Sequence, residues 1–297
     1  MPTLLDFRRR IRSVKNSQQI TRAMKFVAAA RLRRAQEAAL AARPYAQELV
    51  RVLRSTMARI QEQQHPLLER REEKTLLAIV LTGERGLAGA FNANILRKAG
   101  EFFRANREKR VLTIPVGKKG RDSLRKAGFT FAGEWINVLA RVEFKTAREI
   151  AKLATDLYAE AKVDSVYIIF SEFKSVMAPH LTMEKLLPVE AIGEEKRSAE
   201  KEGSGKAAEV QADYIYEQPP AQLLDKLLPR YIETQILRAM LESSASEYAA
   251  RMTAMESATK NAGDVIEALT LHMNKVRQAA ITKEIIEIVS GAAYGNQ

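Results

Sequence analysis

The chain has 297 residues, 46% of them hydrophobic, which is enough for one sizeable core or two domains. It contains no cysteine, so a disulfide framework and a thiolate metal site are excluded, and no apolar run approaches the length of a membrane span. The formal net charge of +12 asks for an acidic partner: nucleic acid, anionic lipid or an acidic protein surface. The opening residues lack the apolar core of a signal peptide.

Helix one is predicted from Thr3 to Gln63, with Thr3 and Asp6 suited to its start. Ile11, Val14, Gln18, Thr21, Lys25, Ala28 and Leu32 open an alternation of three- and four-residue steps that runs on through Ala35, Ala39, Ala42, Ala46, Leu49, Leu53 and Thr56 to Ile60. That spacing is the a/d seam of a coiled coil, and its alanines imply close backbone approach. Gln18 and Lys25 are polar misfits. Either they fix register, or the helix rolls here and Lys25 points at a partner. Ten cations, from Arg8 to Arg34, crowd the first part of this helix against one acid, Asp6. Pro44 lies inside the pattern and is expected to kink or interrupt it.

The period then changes. Leu76–Leu81 is a continuous apolar run, typical of a strand buried on both faces. A helix is expected over Phe91–Asn106, and a second strand over Val111–Val116, where Pro115 suggests an edge or a strand end. A short helix follows at Lys118–Lys126, a weak strand at Phe129–Phe131, a helix at Phe144–Ala161 and a β-branched, aromatic strand at Val166–Phe170. Alternating strands and helices predict a small α/β domain with parallel pairing. Gly193–Ala208 is charged and without aromatics, and reads as a mobile loop. Tyr214-Ile215-Tyr216 alternates and suggests an edge strand.

The last helix, from about Pro229 to Ala293, carries a second seam: Leu241, Ala245, Tyr248, Met252, Met255, Thr259, Ala262, Ile266, Leu269, Met273, Val276 and Ala280. At 1.5 Å per residue it would be about 95 Å long, more than a compact domain can cover. The two chain ends are therefore read as coiled-coil partners. The pattern accommodates parallel and antiparallel pairing; the antiparallel arrangement is adopted, with the seam beginning at Ile11 opposite the neighbourhood of Ala280. Past that point Ile281, Thr282, Ile285, Ile286, Ile288, Val289, Ala292 and Ala293 spread over an arc wider than a two-helix seam. Either this end overhangs and sits in another protein, or it folds back onto the α/β domain. The expected division is 1–65, 74–212 and 213–297.

Candidate chemistry is sparse. Gly83, Gly86 and Gly89 follow the first strand, where phosphate loops occur, but the spacing is not the dinucleotide fingerprint and no acid ends the second strand; a tight strand-to-helix turn is the plainer reading. Gly203-Ser204-Gly205-Lys206-Ala207 lacks both the leading glycine and the Ser or Thr of a phosphate loop. His65, His180 and His272 share no ligand spacing. No cofactor, metal or catalytic residue is expected. Two rival readings remain: a nucleic-acid-binding coiled coil using the basic strip, which offers only Phe7 and Phe26 for stacking, and an α/β enzyme, which would need a working phosphate loop.

Four stretches nonetheless resemble one family. They are Asn16-Ser17-Gln18-Gln19-Ile20-Thr21-Arg22-Ala23-Met24-Lys25-Phe26-Val27-Ala28-Ala29; Gly83-Glu84-Arg85-Gly86-Leu87-Ala88-Gly89 with Asn92; Ser246-Glu247-Tyr248-Ala249-Ala250-Arg251-Met252; and the closing Asn274 to Ala292, which includes Arg277-Gln278-Ala279-Ala280-Ile281-Thr282. In this order they are similar to the gamma subunit of bacterial-type F-type ATP synthases. The resemblance implies an α/β fold class with a long antiparallel coiled coil of the N- and C-terminal helices plus a small Rossmann-like α/β domain. It also implies a rotor shaft without catalysis of its own, coupling ion flow through a membrane c ring to ATP synthesis or hydrolysis on beta subunits. The implied partners are three alpha and three beta subunits, an epsilon subunit and the c ring. The implied place is the cytoplasmic face of the cell inner membrane, held peripherally, with no nucleic acid. By the same resemblance Met24, Lys25, Arg251, Arg277, Gln278 and Thr282 meet beta-subunit loops. Ile281, Ile285, Ile288 and Val289 form a bearing tip, and Tyr214, Tyr216 and Glu217 form the foot beside the c ring and epsilon. Where the family's glycine region often opens on an Asp-like residue, this chain has Thr82-Gly83-Glu84.

Overall fold

The computed structural model describes residues 3–57, 65–175, 179–189 and 219–295. The elements are α1 (Leu4–Met57), β1 (Thr75–Leu81), α2 (Phe91–Ala105), β2 (Arg110–Val116), α3 (Lys118–Lys126), β3 (Thr130–Phe131), α4 (Phe144–Ala159), β4 (Ser165–Phe173), β5 (Pro179–Leu187) and α5 (Pro220–Gly295). They divide between two compact units, one built from Met1–Ala29 with Arg251–Gln297 and the other from Ala30–Ala250.

The second unit holds the sheet, in the order β3-β2-β1-β4-β5. β1 to β4 run parallel, but β5 lies antiparallel beside β4, which corrects the all-parallel expectation. β1 is central, and Leu76 to Leu81 are fully buried. Its side chains alternate as a pleat requires: Leu77, Ile79 and Leu81 join a core with α4, the end of α1 and the first turns of α5, while Leu76, Ala78 and Val80 join a second core under α2 and α3. Both faces are covered, so the run reads as continuous rather than alternating. Pro115 is not on an edge strand. Its carbonyl accepts the Trp135 N–H at 3.1 Å, on the side where two-residue β3 has already ended, so the missing N–H breaks no ladder bond.

The two prolines inside the long helices also behave differently from expectation. α1 passes through Pro44 and α5 begins at Pro220, nine residues before Pro229, which it contains. In an α-helix proline frees the carbonyl four residues back. Those residues, Leu40 and Asp225, are exposed, so water can take the freed carbonyls. The expected edge strand at Tyr214-Ile215-Tyr216, the 193–208 loop and Gly203–Ala207 lie outside the described residues.

At its start α1 is capped reciprocally. The Thr3 N–H donates to Asp6 Oδ2 at 2.9 Å and the Asp6 N–H donates to Thr3 Oγ1 at 3.3 Å, a capping box written with Asp in place of Glu. The Thr3 N–H holds the Asp6 carboxyl below its usual range.

Candidate functional site: the paired helices and the exposed end of α5

In the first unit, α1 and α5 run antiparallel. Phe7 stacks against His272 with ring centres 5.0 Å apart, Gln18 Nε2 donates to the Thr259 carbonyl at 3.3 Å, and Lys25 Nζ meets Glu256 Oε1 at 2.6 Å. Numbers rise along one helix as they fall along the other. The seam positions are those of the heptad: every described position from Ile11 to Thr56 on α1, and from Leu241 to Ala280 on α5, is half-buried or buried. The α1 stripe is rich in alanine and the α5 stripe mixes alanine with methionine and aliphatic residues, and a seam of 3.5-residue period keeps facing its partner.

The register differs from the expected one. With Phe7 at His272, one turn further on α1 brings Ile11 level with Ala268, not Ala280, a shift of about 18 Å along the axis. The seam extends to Phe7, which continues the same spacing and is buried, and the overlap of the helices is longer by that turn.

The polar misfits fall into a cross-helix ladder. Thr21 Oγ1 and Thr259 Oγ1 are 2.8 Å apart, between the Gln18 and Lys25 contacts. Gly263 faces Gln18: a Cβ there would lie 3.3 Å from Gln18 Nε2, so the amide occupies the space that a side chain would take. The Lys25 ammonium is held by Glu256, which is the contact a register pin requires. The exposed side of the same turns carries Ile20 and Phe26, each 60% exposed, and Val27. Ile20 and Phe26 both lie off the a/d spacing, so the seam leaves them on the open side of the helix.

Beyond Ala280 the character of α5 changes at once. Residues 281 to 290 are all exposed. Ile281, Ile285, Ile286, Ile288 and Val289 range from 49% to 71% exposure, an apolar surface that no described residue covers. Arg277 and Gln278 are exposed one turn earlier, and Thr282 Oγ1 donates back to the Gln278 carbonyl at 3.0 Å. Met24 and Arg251 are half-buried. The structure thus gathers Met24 and Lys25 near one end of the first unit's pairing, and Arg277, Gln278, Thr282 and the isoleucines at the other. Tyr214, Tyr216 and Glu217 lie outside the described residues. Among the described residues, no helix is long and apolar enough to cross a membrane.

In the second unit the glycine loop is a turn held by carboxylates and hydroxyls. The Gly83 N–H donates to Asn92 Oδ1 at 2.8 Å, and a Cβ on Gly83 would come within 2.9 Å of the buried Glu247 carboxyl. Glu84 accepts the Lys118 N–H at 3.0 Å and the Val138 N–H at 3.2 Å, while Thr82 Oγ1 accepts the Gly120 N–H at 2.7 Å. These bonds satisfy free N–H groups at the start of α3 and tie that helix to the loop.

Comparison with known proteins places these features in one family. A family model described as "ATP synthase" matches residues 3–293. The chain is 48% identical to the ATP synthase gamma chain of Solibacter usitatus over 297 residues, covering 99% of both, and 46% identical to that of Desulforamulus reducens over 293 residues, again covering 99% of both. Among solved structures it is similar to the rotor of the Euglena gracilis mitochondrial ATP synthase, with a TM-score of 0.64 at 21% identity, covering 94% of this chain and 98% of that one. It is also similar to the central stalk and c-ring structure of the Tetrahymena thermophila enzyme, with a TM-score of 0.58 at 24% identity, covering 80% of this chain and 99% of that one. A seam of knobs over both termini, a mixed sheet between them and motifs matched along almost the whole length make this chain a member of the ATP synthase gamma chain family.

Proposed function

We propose that the chain is the central rotor shaft of an F-type ATP synthase, turning within three alpha and three beta subunits and standing on a ring of c subunits beside epsilon. The observation that carries this reading is the exposed end of α5: ten consecutive exposed residues, five of them large and aliphatic, following directly on a paired seam. Free in water such a surface would aggregate, so it belongs in a socket made by other chains. An aliphatic tip makes contacts without directional bonds and can slide. The basic strip along α1, all exposed except Lys25, suits acidic loops whose charge-assisted pairs are remade as the shaft turns.

In this reading the chain has no catalytic site of its own, and residues 1–65 and 213–297 form the shaft around the 74–212 domain. Met24, Lys25, Arg251, Arg277, Gln278 and Thr282 meet beta-subunit loops, Ile281, Ile285, Ile288 and Val289 bear on the socket, and Tyr214, Tyr216 and Glu217 stand at the foot. The protein sits peripherally at the cytoplasmic face of the inner membrane. The shaft acts by binding different states of identical sites unequally: it shifts each beta subunit's equilibrium only by its differential contact energy with those states.

Because the chain lacks cysteine, Ile285→Cys carrying a photo-crosslinker tests this directly in the assembled complex. Adducts to alpha or beta subunits are expected. Adducts confined to residues 74–212 of the same chain would contradict the socket.

A further inference from the structure

The outer face of α2 carries a feature that the shaft reading does not use. Arg97, Gly100 and Arg104 follow one another at steps of three and four on the side of α2 opposite its buried Ile95 and Phe102, and Arg107 continues the stripe just past the helix end. All three arginines are exposed. Arg97 donates to Asn94 Oδ1 at 3.2 Å and Arg104 to the Gly100 carbonyl at 3.2 Å, and among the described residues none of the three meets a carboxylate. Beside them lies a groove of about 580 Å³ floored by Phe103, Val111 and Phe129, with no acid in its lining.

Gly100 has no explanation within the fold. It sits mid-helix, where glycine is unfavourable relative to alanine, yet a Cβ there would meet nothing within 4 Å. Folding does not require the missing side chain, and the gap leaves room for close approach by another backbone. The rings of Phe103 and Phe129 lie 4.2 Å apart, tilted against each other, and so offer an apolar floor rather than a free flat face for a nucleotide base. The carbonyl end of α2 at Ala105 also disfavours phosphate there.

We propose that this face of α2 docks an acidic amphipathic helix of another protein. That helix crosses α2 at Gly100, sets its apolar stripe on the Phe103–Val111–Phe129 floor and directs carboxylates to Arg97, Arg104 and Arg107. Opposite charge would speed the encounter and orient the helix, and the glycine gap would admit a helix while a bulkier contact point would not.

The test uses the full-length chain and a fluorescent helical peptide of about five turns with one leucine stripe flanked by glutamates. A scrambled peptide of the same composition and ATP serve as competitors. The striped peptide is expected to bind, with affinity falling about tenfold or more for Gly100→Leu and for Arg97→Glu with Arg104→Glu, while the thermal midpoint of each variant holds. Undiminished binding by Gly100→Leu would overturn the proposal. So would equal binding of the scrambled peptide, which would mean attraction by charge alone, including that of the α1 strip. Displacement of the striped peptide by ATP would mark the groove as a nucleotide site and overturn it as well.

Discussion

Lys25 of α1 reaches Glu256 of α5 at 2.6 Å, and this pair ends a polar ladder that includes Gln18, Thr21 and Thr259. A lysine at a seam position would cost stability if it faced an apolar partner; here it selects the register in which an acid stands opposite. The pair is partly exposed, with 33% and 59% of the two side chains open to water, so its own energy is modest. Lys25→Glu should lower chain stability by about 1 kcal/mol or less, and the exchange Lys25→Glu with Glu256→Lys should restore the thermal midpoint. In the assembled enzyme the two roles separate. If Lys25 also serves acidic loops of beta, the exchanged variant regains stability while ATP-driven proton pumping stays below that expected from its hydrolysis rate. Full recovery of coupled pumping would confine Lys25 to register.

A carboxylate clamp ties the second unit together at Glu73. Burial pushes this carboxyl up, but bonds from Lys109, Ser165, Lys185 and Tyr167 outweigh it and hold the group at about 2 rather than the ordinary 4.5. Lys109 lies 2.9 Å from Oε2; Ser165, Tyr167 and Lys185 lie 2.7, 2.9 and 3.1 Å from Oε1. The folded value is depressed, so the stabilisation is complete above the unfolded value and is lost as pH falls from about 4.5 towards 2. Glu73→Gln should cost about 1.5–3 kcal/mol at pH 7 and flatten the acid limb of a denaturation series. An unchanged acid limb would remove Glu73 from that account.

Gly117 is a glycine that the fold itself demands. Its φ is +101°, and a Cβ would fall 1.9 Å from the Thr82 carbonyl oxygen. Gly117→Ala must therefore move the β1 end or the start of α3, and a loss of about 2 kcal/mol or more in chemical denaturation is expected.

Gly100 should behave in the opposite way. With open space at its Cβ position, Gly100→Ala is expected to stabilise the isolated chain by about 0.5–1 kcal/mol. A loss of stability would mean that the glycine serves folding after all.

The seams were legible because each a/d position had to stay at least half-buried, and a 3.5-residue period survives any change of side chain. Leu76–Leu81 was legible for a similar reason, being covered on both faces. β5 was not: His180, Thr182, Glu184 and Lys185 give it the look of a loop, and its place is set by pairing with β4 and by Glu184 meeting Arg238 of α5 at 2.5 Å. Arg238 is remote in sequence, and the pairing with β4 leaves no apolar alternation on β5 to read. Pro44 and Pro229 misled because proline reports the loss of a bond but not whether water can replace it. Phe7 lengthens the α1 seam by one turn, four of the twelve residues of the register shift; the rest arises because nothing in a heptad says where a seam ends. The exposed tip was visible as an apolar arc too wide for one partner.

Rotation of this chain within its complex tests the central claim most directly. With the catalytic ring fixed to a surface and a bead attached through Ser123→Cys on the exposed side of α3, ATP should drive the bead in one direction with three pauses per turn. An enzyme that hydrolyses ATP at its full rate while the bead stays still would contradict the account.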